Sequence, residues 1–154
     1  MVEEGKKAPD FNLPADGGDK IKLSAFKGAP VVVYFYPKDN TPGCTKEAIA
    51  FTELLPEFEK VNTTIIGISP DSVAAHDKFI AKHSLGVRLA ADEERKTVEK
   101  YNVWVEKSMY GKKYMGVERS TFLVDAGGKI ARIWRKVKVP GHAEAVLDVI
   151  RELE

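Results

Sequence analysis

The segment PKDNTPGCTKE, from Pro37 to Glu47, places a proline, a threonine and a cysteine in the order P-x-x-x-T-x-x-C. Cys44 is the only cysteine among 154 residues. A thiolate that attacks a small polar molecule needs donors, a shield from bulk water and a fixed line of approach. The Thr41 hydroxyl can give one hydrogen bond and take another. Pro37 removes a backbone donor and limits water. Pro42 suits the first turn of a helix, where its missing N–H costs nothing, and Thr41 stands before it as the candidate N-cap. A helix that begins there offers Cys44 free backbone N–H groups and the positive end of a dipole, both of which favour a thiolate. Glu47, one turn on, is a first-turn acid that complements the same dipole.

A second reading of Cys44 is purely architectural. Cys44, Ala48, Phe51, Leu55 and Phe58 are spaced by four, three, four and three, so they share one helical stripe. On that reading Cys44 is the first core residue of the helix Thr41 to Lys60. Pro56 lies inside this helix and cannot donate to the Thr52 carbonyl, so a kink or break is expected near Leu55.

The surrounding elements decide where the thiol sits. VVVYFY, Val31 to Tyr36, is a continuous β-branched and aromatic run, as in a strand buried on both faces. TTIIGIS, Thr63 to Ser69, reads as a second such strand. Asp71 is the candidate cap of a helix through SVAAHDKFIAKHS. VRLAAD reads as a short strand and EERKTVEKYNV as a short helix. Upstream, DFNLPADGGDKIKLSAF forms two short segments around Gly17-Gly18, a small hairpin. Downstream, STFLVD and KIARIWRK are joined by Ala126-Gly127-Gly128 as a second hairpin. The closing segment HAEAVLDVIRELE sets Ala143, Val146, Leu147, Ile150 and Leu153 on one face. The order is that of an α/β fold with a partly parallel sheet. In such sheets the active crevice lies beyond the carboxyl ends of the strands, and Cys44 follows the carboxyl end of VVVYFY by a few residues.

Composition excludes several function classes. Apolar residues make up 44% and charged residues 31%, with a formal net charge of +1 and no long run of one sign. This is an ordinary globular balance that does not favour a nucleic-acid partner. The start MVEEGKKAPDF has no apolar signal core, and no apolar run is long enough for a bilayer, so no membrane association is expected. One cysteine forms no internal disulfide, which points to a reducing cytoplasm. His76, His83 and His142 lack metal-ligand spacing and read as helix-surface residues; no metal or cofactor is expected. RIWRKVKV resembles a basic stripe, but its alternation suits an edge or half-exposed strand. Trp104, Met109, Tyr110 and Tyr114 fall in a loop-like stretch before Arg119. Arg119 itself reads either as a surface arginine paired with Glu118 or another acid, or as part of the thiol centre.

Pro37, Thr41 and Cys44 match the active-site motif of the peroxiredoxins, and TPGCTKEA resembles the branch called bacterioferritin comigratory protein or PrxQ. VWVEKSMYGKKYMGVERSTFLVDAGGKI and VKVPGHAEAVL resemble it too, so the likeness runs from GKKAPDFNLP to the last helix. It implies a single thioredoxin-like domain over residues 1–154. The expected architecture is a three-layer αβα sandwich with a mixed central sheet and an N-terminal hairpin. It implies a thiol peroxidase for hydrogen peroxide and organic hydroperoxides, a monomer or weak dimer. Cys44 resembles the peroxidatic cysteine that becomes a sulfenic acid. Thr41 matches the threonine that bonds peroxide and thiolate, and Pro37 the proline that screens the sulfur. Arg119 matches the arginine that holds the thiolate and polarises the peroxide. Glu47 matches an acid that orients this network, and Gly43 adjoins the substrate. Many members of the branch carry a resolving cysteine five positions after the first. Ile49 stands there, so an external thiol must act as reductant: thioredoxin, glutaredoxin or a small thiol. Two other readings stand beside this one. A thiol–disulfide exchange protein is opposed by the missing C-x-x-C, and a binding domain with inert Cys44 would leave the motif without a purpose.

Overall fold

The structure, a computed structural model, describes residues 2–153. Its centre is a five-stranded mixed sheet built from β3 (Val31–Phe35), β4 (Thr64–Ser69), β5 (Arg88–Ala91), β8 (Ser120–Val124) and β9 (Ile130–Trp134), in the order β5-β4-β3-β8-β9. β3, β4 and β5 are parallel; β8 runs antiparallel to β3, and β9 to β8. Helices fill the parallel crossovers: α1 (Pro42–Lys60) after β3 and α2 (Val73–His83) after β4. A short α3 (Lys96–Lys100) follows β5, and α4 (His142–Glu152) closes the chain. The N-terminal β1 (Asn12–Pro14) and β2 (Lys20–Lys22) pair as the expected hairpin.

The β3 run lacks alternation because both of its faces are buried. Val31, Val33 and Phe35 join one core with Phe11, Ile66, Val98, Tyr101 and Phe122. Val32, Tyr34 and Tyr36 join the other with Cys44, Phe51, Phe58, Val146 and Ile150. The second core lies under α1 and α4, and the first under the N-terminal hairpin and α3. Period-two side chains thus serve two layers at once.

Several expectations need correction. α1 runs unbroken through Pro56 to Lys60. Phe58, fully buried beyond the proline, anchors the last turns in the core and offsets the lost hydrogen bond. The N-cap of α2 is Ser72, whose hydroxyl accepts from the Ala75 N–H at 3.1 Å, and not Asp71. The stretch before Arg119 is a two-stranded ribbon, β6 (Trp104–Met109) and β7 (Lys112–Val117). Its turn at Tyr110-Gly111 has φ of 52° and 78°, the mirror-image turn that suits strand twist. Both faces of its tip meet solvent, so no apolar alternation marks it in the sequence. His76 and His142 are buried, not on the surface, while Leu153 is 61% exposed and off the apolar face of α4. β9 is an edge strand as expected. Arg132 stacks on Trp134 at 5.7 Å and Arg135 on Phe122 at 5.7 Å, so these cations lie against the protein's own rings.

Phe58 is the sharpest test of how α1 is held. Phe58→Ala should cost about 3–5 kcal/mol, read from the denaturant midpoint. A loss well under 1 kcal/mol would mean that the helix is anchored elsewhere.

Candidate active site

The helix stripe and the reactive-thiol reading describe the same residue. Cys44 is the third residue of α1 and only 2% exposed, packed in the core beneath that helix. Thr41 takes the N-cap position with extended backbone, yet its hydroxyl caps nothing. It donates instead to the Lys38 carbonyl at 2.9 Å. The N–H groups of Gly43 and Cys44 are therefore left without a capping side chain at the positive end of a 19-residue helix.

Arg119 immediately precedes β8. In the β3–β8 register Phe35 faces Ser120, so Arg119 emerges beside the carboxyl end of β3, where the chain turns into α1. One guanidinium nitrogen donates to Cys44 Sγ at 3.3 Å and the other to Glu47 Oε1 at 2.7 Å. The surface-pair alternative is excluded: Glu118 meets Arg135 at 3.7 Å instead. Gly43 explains itself in the same geometry. A Cβ there would lie 3.1 Å from the Arg119 nitrogen that reaches the sulfur, so any side chain would push against it.

The electrostatics are those of a nearly dry site. Burial pushes the Glu47 carboxyl up to about 7, against the pull of the Arg119 charge and hydrogen bond. Its second oxygen has no protein partner. Burial opposes the Arg119 charge, but Glu47 and Cys44 outweigh it and hold the guanidinium above its ordinary range. His142, at the start of α4, shares a hydrogen bond with the Thr121 hydroxyl at 2.7 Å. Burial, helped by the Arg119 charge, lowers it to about 4, so it is neutral at pH 7. Lys107, on β6, lies across Gly116, and burial together with the like charge of Arg119 lowers its amine.

The structure thus brings Cys44, Glu47, Arg119 and Gly43 into contact, with Thr41 and the half-buried Pro37 on the loop that leads into them. Sequence reasoning missed His142 and Lys107. No motif marks either, because a strand register and an exposed ribbon place them. Chemically the cluster can hold a sulfur anion, present a fixed cation beside it and keep both away from bulk water.

Glu47 gives the site a pH signature. A carboxyl whose value is raised from 4.5 to about 7 binds its proton more tightly when folded. Its contribution to stability is complete below pH 4.5 and is lost as pH rises through 7, at no more than about 1.4 kcal/mol per pH unit. The stability of Glu47→Gln should therefore gain on wild type between pH 4.5 and 8, measured by urea unfolding across that range. A constant difference would show that Glu47 is ionised throughout.

The AhpC/TSA family model matches residues 4–133. The chain is 47% identical over 152 residues to peroxiredoxin Bcp of Bacillus subtilis, covering 99% of this chain and 97% of that one. It superposes on the bacterioferritin comigratory protein of Xanthomonas campestris with a TM-score of 0.92 and 43% identity, covering 98% of this chain and 99% of that one. It superposes on a variant of PrxQ from Xylella fastidiosa with a TM-score of 0.95 and 39% identity, covering 99% and 98%. A cysteine at a helix start, faced by an arginine that immediately precedes the neighbouring strand of a thioredoxin-like sheet, thus occurs in a chain that belongs to the AhpC/TSA family and, within it, to the Bcp or PrxQ peroxiredoxins.

Proposed function

We propose that the Cys44 cluster is the peroxide-reducing centre of this thiol-dependent peroxidase, working with one cysteine. The observation that carries the reading is the Arg119 guanidinium, donating to Cys44 Sγ at 3.3 Å while its other arm is fixed on buried Glu47. The guanidinium sets a fixed positive charge beside the sulfur, whose attacking form is the thiolate.

The Cys44 thiolate attacks one peroxide oxygen, an S–O bond forms and the O–O bond breaks. The sulfur is oxidised to sulfenic acid, which keeps the hydrogen of the attacked oxygen, and the leaving oxygen takes a proton from solvent water to depart as water or alcohol. Negative charge moves from sulfur to the leaving oxygen during this step. Arg119 has several donors in a rigid fork and can follow that movement. Thr41 enters as an acceptor, since its own proton is engaged on the Lys38 carbonyl. It can then receive the hydroxyl of a hydroperoxide and orient it, with the N–H groups of Gly43 and Cys44 as further donors. Pro37 borders this loop and screens the sulfur. Glu47 keeps Arg119 aimed, and Gly43 leaves the fork room.

The second half of the cycle needs an outside thiol. Cys44 is the only cysteine, and Ile49 packs half-buried against the α1 core. One external thiol condenses with the sulfenic acid, releasing water and leaving a mixed disulfide. A second displaces Cys44 as thiol and departs as the oxidised disulfide. Thioredoxin, glutaredoxin or a small thiol can fill this role. Hydrogen peroxide and organic hydroperoxides are the substrates. The full chain 1–154 acts as one domain, as a monomer or weak dimer. No described helix is long and apolar enough to cross a membrane, and a reducing cytoplasm would keep the lone thiol reduced.

Without reductant each chain should consume one equivalent of peroxide and stop, with a sulfenic-acid trap on Cys44; Cys44→Ser should consume none. Excess peroxide should carry the residue on to the sulfinic state. Sustained turnover with peroxide alone would contradict the one-cysteine cycle. Arg119→Ala should slow the peroxide step by about 10²–10³-fold. Arg119→Lys should recover little, because the charge returns without the planar fork. Stopped-flow measurement of Cys44 oxidation checks both, and a wild-type rate in the Ala variant would remove Arg119 from the chemistry.

A further inference from the structure

Beside the peroxide loop lies a second buried polar cluster that the chemistry above does not use. The Tyr36 hydroxyl donates to Asp39 Oδ1 at 2.5 Å, and His76 Nδ1 meets Asp39 Oδ2 at 2.7 Å. His76 Nε2 meets the Ala90 carbonyl at 3.0 Å. The Asp39 N–H donates to Asp71 Oδ2 at 2.8 Å, and that oxygen also accepts from the Ser69 hydroxyl at 2.6 Å. Tyr36, His76 and Ser69 are almost wholly buried and Asp39 nearly so.

The proton inventory is constrained. A carbonyl only accepts, so Nε2 of His76 carries a proton. Burial first, then Tyr34 and Asp39, hold Tyr36 neutral, so its hydroxyl is the donor to Asp39. His76 Nδ1 and Asp39 Oδ2 share the hydrogen bond between them. Every buried side-chain polar atom in the cluster then has a partner, which in a dry interior makes the arrangement rigid.

Three segments meet on Asp39: the end of β3 through Tyr36, α2 through His76 and the turn after β4 through Asp71, while β5 holds His76 itself through the Ala90 carbonyl. Both the side chain and the main chain of Asp39 are fixed. Asp39 lies two residues after Pro37 and two before Thr41, and it makes no contact with the sulfur. Its neighbour Asn40 takes a left-handed φ of 60° and shares a hydrogen bond with His83 at 3.0 Å. The loop that delivers Thr41 and the first turn of α1 is thus clamped to α2 by two successive residues.

We propose that Asp39 and His76 are positioning residues for the peroxide step: their buried hydrogen-bonded pair fixes the Pro37–Thr41 loop in the one placement that aligns Thr41 and the start of α1 with Arg119. The proposal rests on the thiol-peroxidase reading. It separates geometry from charge in a testable way. In Asp39→Asn the amide can donate to His76 Nδ1 and still accept from Tyr36, while Nε2–H keeps Ala90. All hydrogen bonds survive without a shared charge.

The test measures the second-order rate of Cys44 oxidation by hydrogen peroxide and, in parallel, the rate of Cys44 alkylation by iodoacetamide. The proteins compared are wild type, Asp39→Asn, Asp39→Ala and His76→Gln. Asp39→Ala and His76→Gln should lose about 10–100-fold in peroxide rate, as small misplacements of reacting groups do, and much less in alkylation, so that the ratio of the two rates falls. Asp39→Asn should stay within about threefold of wild type, since it keeps the hydrogen bonds that carry the geometry. Val146→Ala in α4, chosen as a core variant of lowered Tm, should keep the wild-type ratio of the two rates, which separates loop placement from general loss of stability. Should Asp39→Ala not fold, His76→Gln and Tyr36→Phe decide by the same ratio. Wild-type ratios in the folded clamp variants, or an Asp39→Asn as slow as Asp39→Ala, would overturn the proposal while leaving the peroxidase intact. A wild type inert towards peroxide would overturn the peroxidase reading first and this inference with it.

Discussion

The structure depends on one side chain reaching two partners that α1 supplies one turn apart. Arg119 must touch Cys44 Sγ and Glu47 Oε1 together, at 3.3 and 2.7 Å. Residues three apart on a helix share a face, so Cys44 and Glu47 offer one bidentate target to a planar fork. The antiparallel pairing of β8 with β3 carries the fork there. A register shift of one residue would turn Ser120, Thr121 and Phe122 to the opposite faces of the sheet and carry Arg119 out of reach. The central sheet is thus the ruler for the site, and its fully buried strands are what keep the ruler fixed.

Burying this pair is costly in itself. Two charges out of water lose hydration that their attraction only partly returns. The raised carboxyl of Glu47 and its unpartnered oxygen show the cost locally. What the arrangement gains is a cation that cannot turn away from the sulfur, inside a core formed by Tyr34, Phe51 and Phe58. Tyr34 stacks on Phe51 at 4.9 Å beneath the first turns of α1. The same helix therefore serves as core and as site. This is why Cys44 lies on the apolar stripe and yet touches the Arg119 guanidinium, and why burial of a lone cysteine does not discriminate between the two readings.

Much of this was legible in the chain. The β-branched run, the crossover helices, both terminal hairpins and the P-x-x-x-T-x-x-C spacing each have a local physical signature, and the structure holds them where expected. What was not legible depends on contacts distant in sequence. His76 and His142 sit on amphipathic helices whose polar positions look solvated until a neighbouring strand or loop covers them. Asp71 looks like a cap because it precedes a helix, yet it is drawn to the Asp39 N–H, 32 residues away. The β6–β7 ribbon has little apolar alternation because it projects from the sheet. Pro56 shows that a local breaker yields to tertiary packing when the residues beyond it are buried deeply enough. The bond of the Thr41 hydroxyl to the Lys38 carbonyl and the crowding of the Arg119 guanidinium by any Cβ at Gly43 depend on the folded loop and have no signature in the sequence.

On the proposed reading, folded geometry and not the thiol alone makes Cys44 a peroxide-reducing group. The most direct measurement compares the second-order rate of hydrogen peroxide with Cys44 in the native chain and in the same chain unfolded in urea at the same pH. The unfolded chain keeps the cysteine and loses Arg119, the helix start and the dry core. The account predicts a native rate higher by about 10³-fold or more, the scale that preorganised donors and charge can supply. Equal rates in the two states would contradict it, and would return Cys44 to the role of a small apolar residue at the head of a core stripe.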